Sequence, residues 1–207
     1  KITREKTRDT NILKAQWQID LNWNTSWHAA DTFNVAIGQG RQNYTPIQLV
    51  SYVAQLANDG VRMKPYVVEK IVSEDGMVIE EFFPEIAGTT NISKDSMEKT
   101  IRGMIQASEP RGTAYSTFAN FPSNIKVAAK TGTAQREINI ESNGLNGETE
   151  VTQIFQSDGL FTAFAPADDP EIVFFGIIEA GNSGSGSAGK IAKILFEEYF
   201  GIGKAGE

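Results

Sequence analysis

Lys130-Thr131-Gly132-Thr133 is the segment of this sequence whose residue types most clearly allow chemistry. The lysine supplies a fixed positive charge, and the two threonine hydroxyls can hydrogen-bond a carboxylate. The glycine leaves room for a ligand to lie against the backbone of a strand, and the Thr133 amide can stabilise a developing oxyanion. The segment therefore predicts a site that binds a carboxylate beside a reacting carbonyl. The alternative interpretation is an exposed strand end with solvated polar residues.

The serines of the chain offer no convincing nucleophile beside this lysine. No Ser-x-Asn occurs in the chain, and Ser-x-x-Lys occurs at Ser96/Lys99, Ser123/Lys126 and Ser187/Lys190. The abundance of serine and lysine gives roughly one such match by chance. We interpret Ser96 as part of a helix start, Ser123 as the lead-in to a strand, and Ser187 as the cap of the last helix. None of the three is predicted to be a nucleophile.

Other titratable groups have ordinary explanations. His28 is the only histidine, with Asp31 nearby, and a triad needs a convergence in space that one histidine cannot reveal. We therefore expect a surface or loop role for His28. The adjacent pair Asp168-Asp169 is typical of a turn, and Glu197-Glu198 of a solvated helix face; neither indicates a glycosidase.

Composition excludes several classes of function. The 207 residues are 40% hydrophobic and 22% charged, which is the balance of a globular protein with one ordinary core. The net charge of -7 and the absence of a dense basic block disfavour nucleic acid as a partner. With no cysteine and a single histidine, a zinc site is disfavoured as well. A metal site made only of carboxylates stays open as an alternative, but we expect no metal or cofactor. Apolar runs are far shorter than the ~20 residues of a membrane span.

The elements that must position the Lys-Thr-Gly segment include three helices. Thr45 caps the first, with Pro46 at its first position, Gln48 completing a capping box and Gly60 as its stop. A second helix follows Ser93 and ends before Pro110. The last helix is amphipathic, with one apolar face formed by Ile191, Ile194, Leu195 and Tyr199. The opening stretch to about residue 24 is irregular, and we expect its tryptophans to pin it onto a core: Trp17, Trp23 and Trp27.

The predicted strands form hairpins. Residues 66–72 and 77–83 are joined through Asp75-Gly76. Residues 125–134 run directly into the Lys-Thr-Gly segment and pair with 160–165, which turns through Pro166 to Pro170 and pairs with 172–178. Residues 136–157 are polar and rich in Asn, Glu and Gly, which indicates a long excursion between strands. Together these elements predict an antiparallel sheet covered by helices.

Five segments, in order and over nearly the whole chain, resemble class B penicillin-binding proteins. They are Asp31-Thr32-Phe33-Asn34-Val35-Ala36-Ile37-Gly38-Gln39-Gly40, Thr45-Pro46-Ile47-Gln48-Leu49, Arg111-Gly112-Thr113-Ala114, Lys130-Thr131-Gly132-Thr133-Ala134-Gln135, and Phe161-Thr162-Ala163-Phe164-Ala165-Pro166 followed by Pro170. The resemblance implies a D,D-transpeptidase that cross-links peptidoglycan stem peptides. In this family a serine attacks the D-Ala-D-Ala peptide bond, forms an acyl-enzyme and passes the acyl group to an amine. β-Lactams acylate the same serine.

The resemblance also implies a fold class and the extent of the domain. The fold class is α/β (α+β), an antiparallel sheet flanked by helices of the serine β-lactamase/transpeptidase type. The family's nucleophile lies upstream of the segment that begins at Asp31, so residues 1–207 would be the C-terminal part of a single transpeptidase domain. We expect this incomplete domain to be inactive by itself, and the chain to contain no nucleophile.

Residue roles follow by position in the family motif. Lys130 would lower the barrier electrostatically and orient the substrate carboxylate. Thr131 and Thr133 would bind that carboxylate, and the Thr133 amide would complete the oxyanion hole. The remaining substrate-binding positions are Gly132, Ala134 and Gln135.

The resemblance places the parent protein at the extracytoplasmic face of the bacterial membrane, anchored by an N-terminal segment outside this chain. Its implied partners are the stem peptide, β-lactams, cell-wall synthesis proteins and the missing half of its own domain. Two alternatives stay open. One is a non-catalytic module that binds peptidoglycan or a division partner, which absence of the upstream serine motifs would favour. The other is a β-lactam sensor or class D β-lactamase, against which residues 38–49 argue.

Overall fold

The computed structural model describes residues 26–40, 43–143 and 149–203. The chain divides into two compact units, Lys1–Asn43 and Tyr44–Glu207. In the first unit, helix α1 spans Ala29–Ala36. Trp27 precedes it and is 61% exposed, so the predicted burial is wrong for this tryptophan. Its indole N–H donates to Thr32 Oγ1 at 2.9 Å. Trp17 and Trp23 lie outside the described residues.

The second unit contains four helices and seven strands among its described residues. In chain order they are α2 Pro46–Ala57, β1 Val61–Met63, β2 Lys70–Val72, β3 Val78–Glu81, β4 Ile86–Thr89, α3 Lys94–Ser108, α4 Tyr115–Phe118, β5 Ala128–Asn143, β6 Thr149–Ala165, β7 Ile172–Ile178 and α5 Ala188–Tyr199. Within the described ranges, no helix combines the length and the hydropathy that a membrane crossing requires.

The main sheet is antiparallel, in the order β5-β6-β7. Its register places Lys130 opposite Thr162, and Ala165 opposite Ile172 across the β6–β7 turn. Both predicted pairings of the Lys-Thr-Gly strand and its neighbours are therefore confirmed. The turn between β6 and β7 contains two prolines, which cannot donate to a ladder and so favour the end of pairing there.

The prediction of an excursion over residues 136–157 is wrong. Strand β5 continues to Asn143 and β6 begins at Thr149, so these two strands pair well beyond the end of β7. Ile138 and Ile140 alternate with polar residues, a period of two that is typical of a strand. The high content of Asn, Glu and Gly obscured this alternation. We call the two-stranded extension, residues 136–143 and 149–157, the outer ribbon.

Helices cover both faces of the sheet. Because successive side chains of a strand point to opposite faces, Ala128 and Ala129 enter different clusters. Ala129 and Phe161 pack with α4 and α5 on one face. Ala128 and Phe164 pack with α2 and α3 on the other. The predicted antiparallel sheet flanked by helices is confirmed, and the buried part of β5 is held from both sides.

Helix α5 contacts the sheet through small side chains. Ala188, Ala192 and Phe196, spaced four residues apart, are 0% exposed. Gly189 also faces the sheet, since a Cβ there would lie 3.2 Å from the Phe161 ring. The apolar face chosen from the sequence is exposed instead: Ile191, Ile194, Leu195 and Tyr199. Close approach of the helix to the sheet therefore decided which face is buried.

The predicted caps of α2 and α3 are confirmed. The Thr45 backbone N–H donates to Gln48 Oε1 at 2.8 Å, and the Gln48 N–H donates to Thr45 Oγ1 at 3.4 Å. Gly60, with φ of +83°, follows α2 in a conformation that favours glycine. Ser93 Oγ accepts the Ser96 N–H at 3.2 Å at the start of α3. Both helices thus begin where their capping residues predict.

Two small antiparallel pairs lie between α2 and α3 in the sequence. Strands β2 and β3 form the predicted hairpin, although they are shorter than expected. Gly76, with φ of +84°, lies in its turn. Strands β1 and β4 also pair, with Val61 opposite Thr89. This second pair joins segments far apart in the chain and was not predicted.

Candidate active site

The Lys-Thr-Gly segment lies where β5 leaves the core. Ala128 and Ala129 are 0% exposed, whereas the Lys130 side chain is exposed. Among the described strands, β5 pairs only with β6, so its other edge carries no neighbouring strand. A strand anchored at one end and open along one edge can offer main-chain groups to an extended ligand.

The Lys130 ammonium lies against a main-chain carbonyl group. In the part of the chain that the structure describes, no ion pair includes Lys130, and its Nζ donates to the Thr131 carbonyl oxygen. A positive charge held in this way is available to an anionic group of a ligand. The geometry thus fits the electrostatic role predicted for Lys130.

Thr131 contacts a second motif of the resemblance. Its Oγ1 donates to Thr113 Oγ1 at 3.1 Å. Thr113 lies in a turn after α3. The turn is tight at the preceding residue, Gly112, where an added Cβ would be 2.2 Å from the Ala107 carbonyl oxygen. The Ala114 N–H donates to that same oxygen at 2.7 Å, and Ala114 is fully buried. The turn is therefore fixed to the core, and it holds one hydroxyl of the Lys-Thr-Gly segment.

A charged cluster follows the segment along β5. Arg136 Nε lies 3.0 Å from Asp158 Oδ2, and Arg136 Nη2 lies 2.8 Å from Glu179 Oε2. Asp158 Oδ1 accepts the Ala180 N–H at 2.9 Å and Gln156 Nε2 at 3.3 Å. These contacts hold the pKa of Asp158 below its usual range, although burial raises it. The Ala180 N–H has the largest effect, followed by the Gln156 side chain and then by the charge of Arg136. Glu179 and Asp158 in turn raise the pKa of Arg136.

A glycine- and serine-rich loop, residues 181–187, lies directly against the segment. A Cβ at Gly184 would be 1.9 Å from the Leu160 carbonyl oxygen and 2.8 Å from the Gly132 carbonyl oxygen. Leu160 is paired with Gly132. The Thr117 hydroxyl donates to the Ser185 carbonyl oxygen at 3.0 Å and fixes the middle of the loop to α4. The loop can occupy this position only without a side chain at residue 184.

The three Ser-x-x-Lys matches have local roles. Ser96 lies in the first turn of α3, and Lys99 pairs with Asp95 at 2.7 Å. Ser187 Oγ donates to the Ser183 carbonyl oxygen at 2.6 Å just before α5. Ser123 lies in the exposed lead-in to β5. The positions of Ser96 and Ser123 agree with the roles given to them from the sequence. Ser187 stands at the N-cap position of α5, but its side chain makes no capping hydrogen bond, so the predicted cap is wrong in that respect.

His28 also has a local role. Its backbone N–H donates to Asp31 Oδ2 at 2.8 Å at the start of α1, within the first unit. Among the described residues, no group of three His, Cys, Asp or Glu side chains is arranged to hold a metal ion. Asp168 and Asp169 lie exposed in the β6–β7 turn.

The predicted site residues are consecutive on β5, from Lys130 through Thr131, Gly132, Thr133 and Ala134 to Gln135. Their chemical roles remain predictions. Sequence reasoning missed Thr113 as a contact of the site, although its motif was already apparent. It also missed the pairing of Arg136 with Asp158, which depends on the strand register over 22 residues.

Comparisons with known sequences agree on one group of proteins. A family model described as the penicillin binding protein transpeptidase domain matches residues 9–199. The peptidoglycan D,D-transpeptidase MrdA of Escherichia coli (strain K12) is 31% identical over 189 residues, covering 91% of this chain and 29% of that protein. Penicillin-binding protein 2A of Bacillus subtilis (strain 168) is 33% identical over 142 residues, covering 66% of this chain and 18% of that protein. The chain thus spans less than a third of either relative.

Solved structures give the same result. Pseudomonas aeruginosa PBP2, in complex with WCK 5153, superposes with a TM-score of 0.67 at 26% identity, covering 93% of this chain and 38% of that one. Penicillin-binding protein 2B from Streptococcus pneumoniae (strain R6) gives a TM-score of 0.61 at 26% identity, covering 84% and 28%. Sequence and structure therefore lead to the same group.

Proposed function

Because this chain belongs to the penicillin-binding protein transpeptidase family, we propose that it forms the C-terminal part of a serine-type D,D-transpeptidase domain. The observation that carries the proposal is Lys130, exposed on a strand edge and in no ion pair of the described residues, directly before two threonines and a glycine. In the full-length protein, a serine outside this chain attacks the D-Ala-D-Ala carbonyl, and the terminal D-Ala leaves. An amine of a second stem peptide then takes the acyl group and releases the serine.

Lys130 acts in this reaction as a fixed charge. Its side chain is exposed and has no carboxylate partner in the described ion pairs, so the terminal carboxylate of the donor peptide can be its counter-ion. A charge placed where negative charge develops costs no reorganisation during the reaction. The contribution is therefore to orientation and to the barrier rather than to folding.

The residues that follow Lys130 bind the donor peptide. The hydroxyls of Thr131 and Thr133 bind its carboxylate. Because the Thr131 hydroxyl donates to Thr113 Oγ1 at 3.1 Å in the free chain, its hydrogen turns from Thr113 to the carboxylate when the peptide binds. The Thr133 amide donates to the oxyanion of the tetrahedral intermediate. Ala134 and Gln135 continue the open edge of β5, along which the peptide backbone lies.

β-Lactams are the expected inhibitors, since they present a reactive carbonyl and a carboxylate in a similar arrangement. The substrate lies outside the cytoplasm, so we place the full-length protein at the extracytoplasmic face of the membrane, together with other proteins of cell-wall synthesis. The relatives named above are transpeptidases and penicillin-binding proteins, which favours this enzyme over a sensor, a class D β-lactamase or a binding module.

The test is labelling with a reporter penicillin, followed by intact mass measurement. We expect the full-length protein to gain one covalent adduct and the 207-residue chain alone to gain none. Ser96→Ala, which removes the serine of one local Ser-x-x-Lys match, is the control and should leave labelling of the full-length protein unchanged. A stoichiometric adduct on any serine of the isolated chain would show that the nucleophile has been placed wrongly. An unlabelled full-length protein would refute the transpeptidase assignment.

A further inference from the structure

Asp158 is one of the two buried polar residues in the described part of the chain, at 9% exposure. It lies on β6, opposite Ala134, and the next rung of the ladder pairs Gly159 with Thr133. A buried carboxylate is retained only where it is paired or hydrogen-bonded. Its position, one rung from the amide assigned to the oxyanion, makes its partners relevant to the site.

The Asp158 carboxylate joins three pieces of chain. Its own strand is β6, its ion pair with Arg136 reaches β5 at 3.0 Å, and its bond from the Ala180 N–H reaches the segment after β7 at 2.9 Å. Arg136 contacts the same segment through Glu179 at 2.8 Å. One carboxylate thus fixes β5, just beyond the Lys-Thr-Gly segment, to the segment that leads into the glycine- and serine-rich loop.

The backbone of that segment requires external support. Ala180 has φ of +54°, a region that alanine rarely occupies and that persists only where surroundings hold it. Asn182 follows at +57°, where asparagine is found more readily. Asp158 holds Ala180, and the Ser157 carbonyl oxygen accepts the Asn182 N–H at 3.0 Å. Both supports come from adjacent residues of β6.

The loop that begins there is in direct contact with the motif. Gly184 packs against the carbonyl oxygens of Leu160 and Gly132. If the loop moves, either the paired residues Gly132 and Leu160 move with it or a gap opens between them and the loop. Gly159 is equally close, since a Cβ there would be 2.3 Å from Ser187 Oγ. The position of the loop and that of the motif strand are therefore coupled.

We propose that Asp158 is a positioning residue that, through Arg136 and Ala180, holds the Thr133 end of the Lys-Thr-Gly segment where its amide can receive the oxyanion. The inference rests on the proposed function. An oxyanion donor must be placed to within a fraction of an ångström, and small displacements reduce the rate of the chemical step more than they reduce binding. Asp158 touches no substrate in this account.

Asp158→Asn in the full-length protein tests the proposal. The amide oxygen can still accept the Ala180 N–H, but the amide N–H groups then face the Arg136 guanidinium, which has only donors. Acylation by a chromogenic cephalosporin is measured over a range of concentrations, which separates pre-covalent binding from the acylation rate constant. We expect the rate constant to fall about tenfold or more, with binding changed by no more than about twofold.

Arg136→Gln removes the ion pair with Asp158 by changing the arginine instead of the carboxylate. It should cause a similar loss, and the double variant should lose little more than either single one. Glu85→Gln, which removes the exposed ion pair between Lys64 and Glu85, is the matched control and should acylate like the wild type.

The outcomes separate the two proposals. A wild-type protein that does not acylate refutes the proposed function and this inference with it. If the wild type acylates and Asp158→Asn acylates at the same rate, only the positioning role is wrong. If Asp158→Asn loses acylation only in proportion to the folded protein it loses, Asp158 is structural and the inference is also wrong.

Discussion

The two ends of the β5–β6 pair are built from the same two strands but are held very differently. At the inner end, Ala129, Ala163 and Phe164 are 0% exposed, with helices on both faces and β7 beside them. In the outer ribbon, Phe155 is 76% exposed and Ile140 45%, and no third strand pairs with it among the described residues. The Lys-Thr-Gly segment lies between these ends. The buried residues before it fix its position, and one edge of its strand has no neighbouring strand among the described residues. An edge that binds an extended ligand needs both properties.

Truncating one phenylalanine at each end of β6 should give the largest difference. Phe164→Ala creates a cavity in the core and should lower the free energy of unfolding by about 3–5 kcal/mol. Phe155→Ala, in the outer ribbon, should change it by about 0.5 kcal/mol or less. Urea unfolding of both variants beside the wild type measures the two values. Equal losses would mean that the outer ribbon is packed as firmly as the core.

Adding one methyl group to two glycines gives an effect of intermediate size. Gly184→Ala places a Cβ 1.9 Å from the Leu160 carbonyl oxygen, so we expect a loss of about 1–3 kcal/mol or more. Gly103→Ala is the control, because Gly103 lies inside α3 with no atom within 4 Å of a new Cβ. That variant should gain about 0.5–1 kcal/mol. Thermal melts of the two variants should therefore shift in opposite directions, and a neutral Gly184→Ala would contradict the close contact.

The sequence predicted the elements whose determinants are local. Thr45, Pro46 and Gln48 predicted the start of α2, and the prolines after β6 predicted its turn. Prediction from the sequence failed where a contact between distant segments determines the structure. The buried face of α5 depends on how closely the helix approaches Phe161, so small residues such as Ala192 are buried while Leu195 is exposed. The β1–β4 pair and the Arg136–Asp158 contact depend on registers between distant segments.

The site itself follows the same division. The composition and spacing of Lys130-Thr131-Gly132-Thr133 were sufficient to propose it as the candidate site. Thr113, which contacts the segment, and Asp158, which we propose positions it, come from other parts of the chain and require the fold. An ion pair between strands is visible in sequence only once the register is known.

The effect of Asp158→Asn on the melting temperature should depend on pH, and we expect this effect to be smaller than those of the substitutions above. The pKa of Asp158 is below its usual value, chiefly because it accepts the Ala180 N–H. A carboxyl with a lowered folded-state pKa contributes stability that is fully present above its unfolded pKa of about 3.9 and is lost as the pH falls through the lower folded pKa. The melting temperatures of the variant and the wild type should therefore differ by a constant amount from pH 7 to pH 5 and converge below about pH 4. A difference that does not shrink in acid would mean that charge is not its source.

The most direct test of the account is the acylation rate of Lys130→Ala in the full-length protein, measured beside its thermal melt. Lys126→Ala, at an exposed lysine just before β5, is the matched control. We expect Lys130→Ala to change the free energy of unfolding by about 0.5 kcal/mol or less and to lower the second-order acylation rate about a hundredfold or more, equivalent to about 3 kcal/mol. Lys130→Arg should restore only part of that rate, because a planar guanidinium cannot place its charge where an ammonium was. A collapsed melt with normal acylation by the remaining folded protein would show that Lys130 is structural and contradict the account.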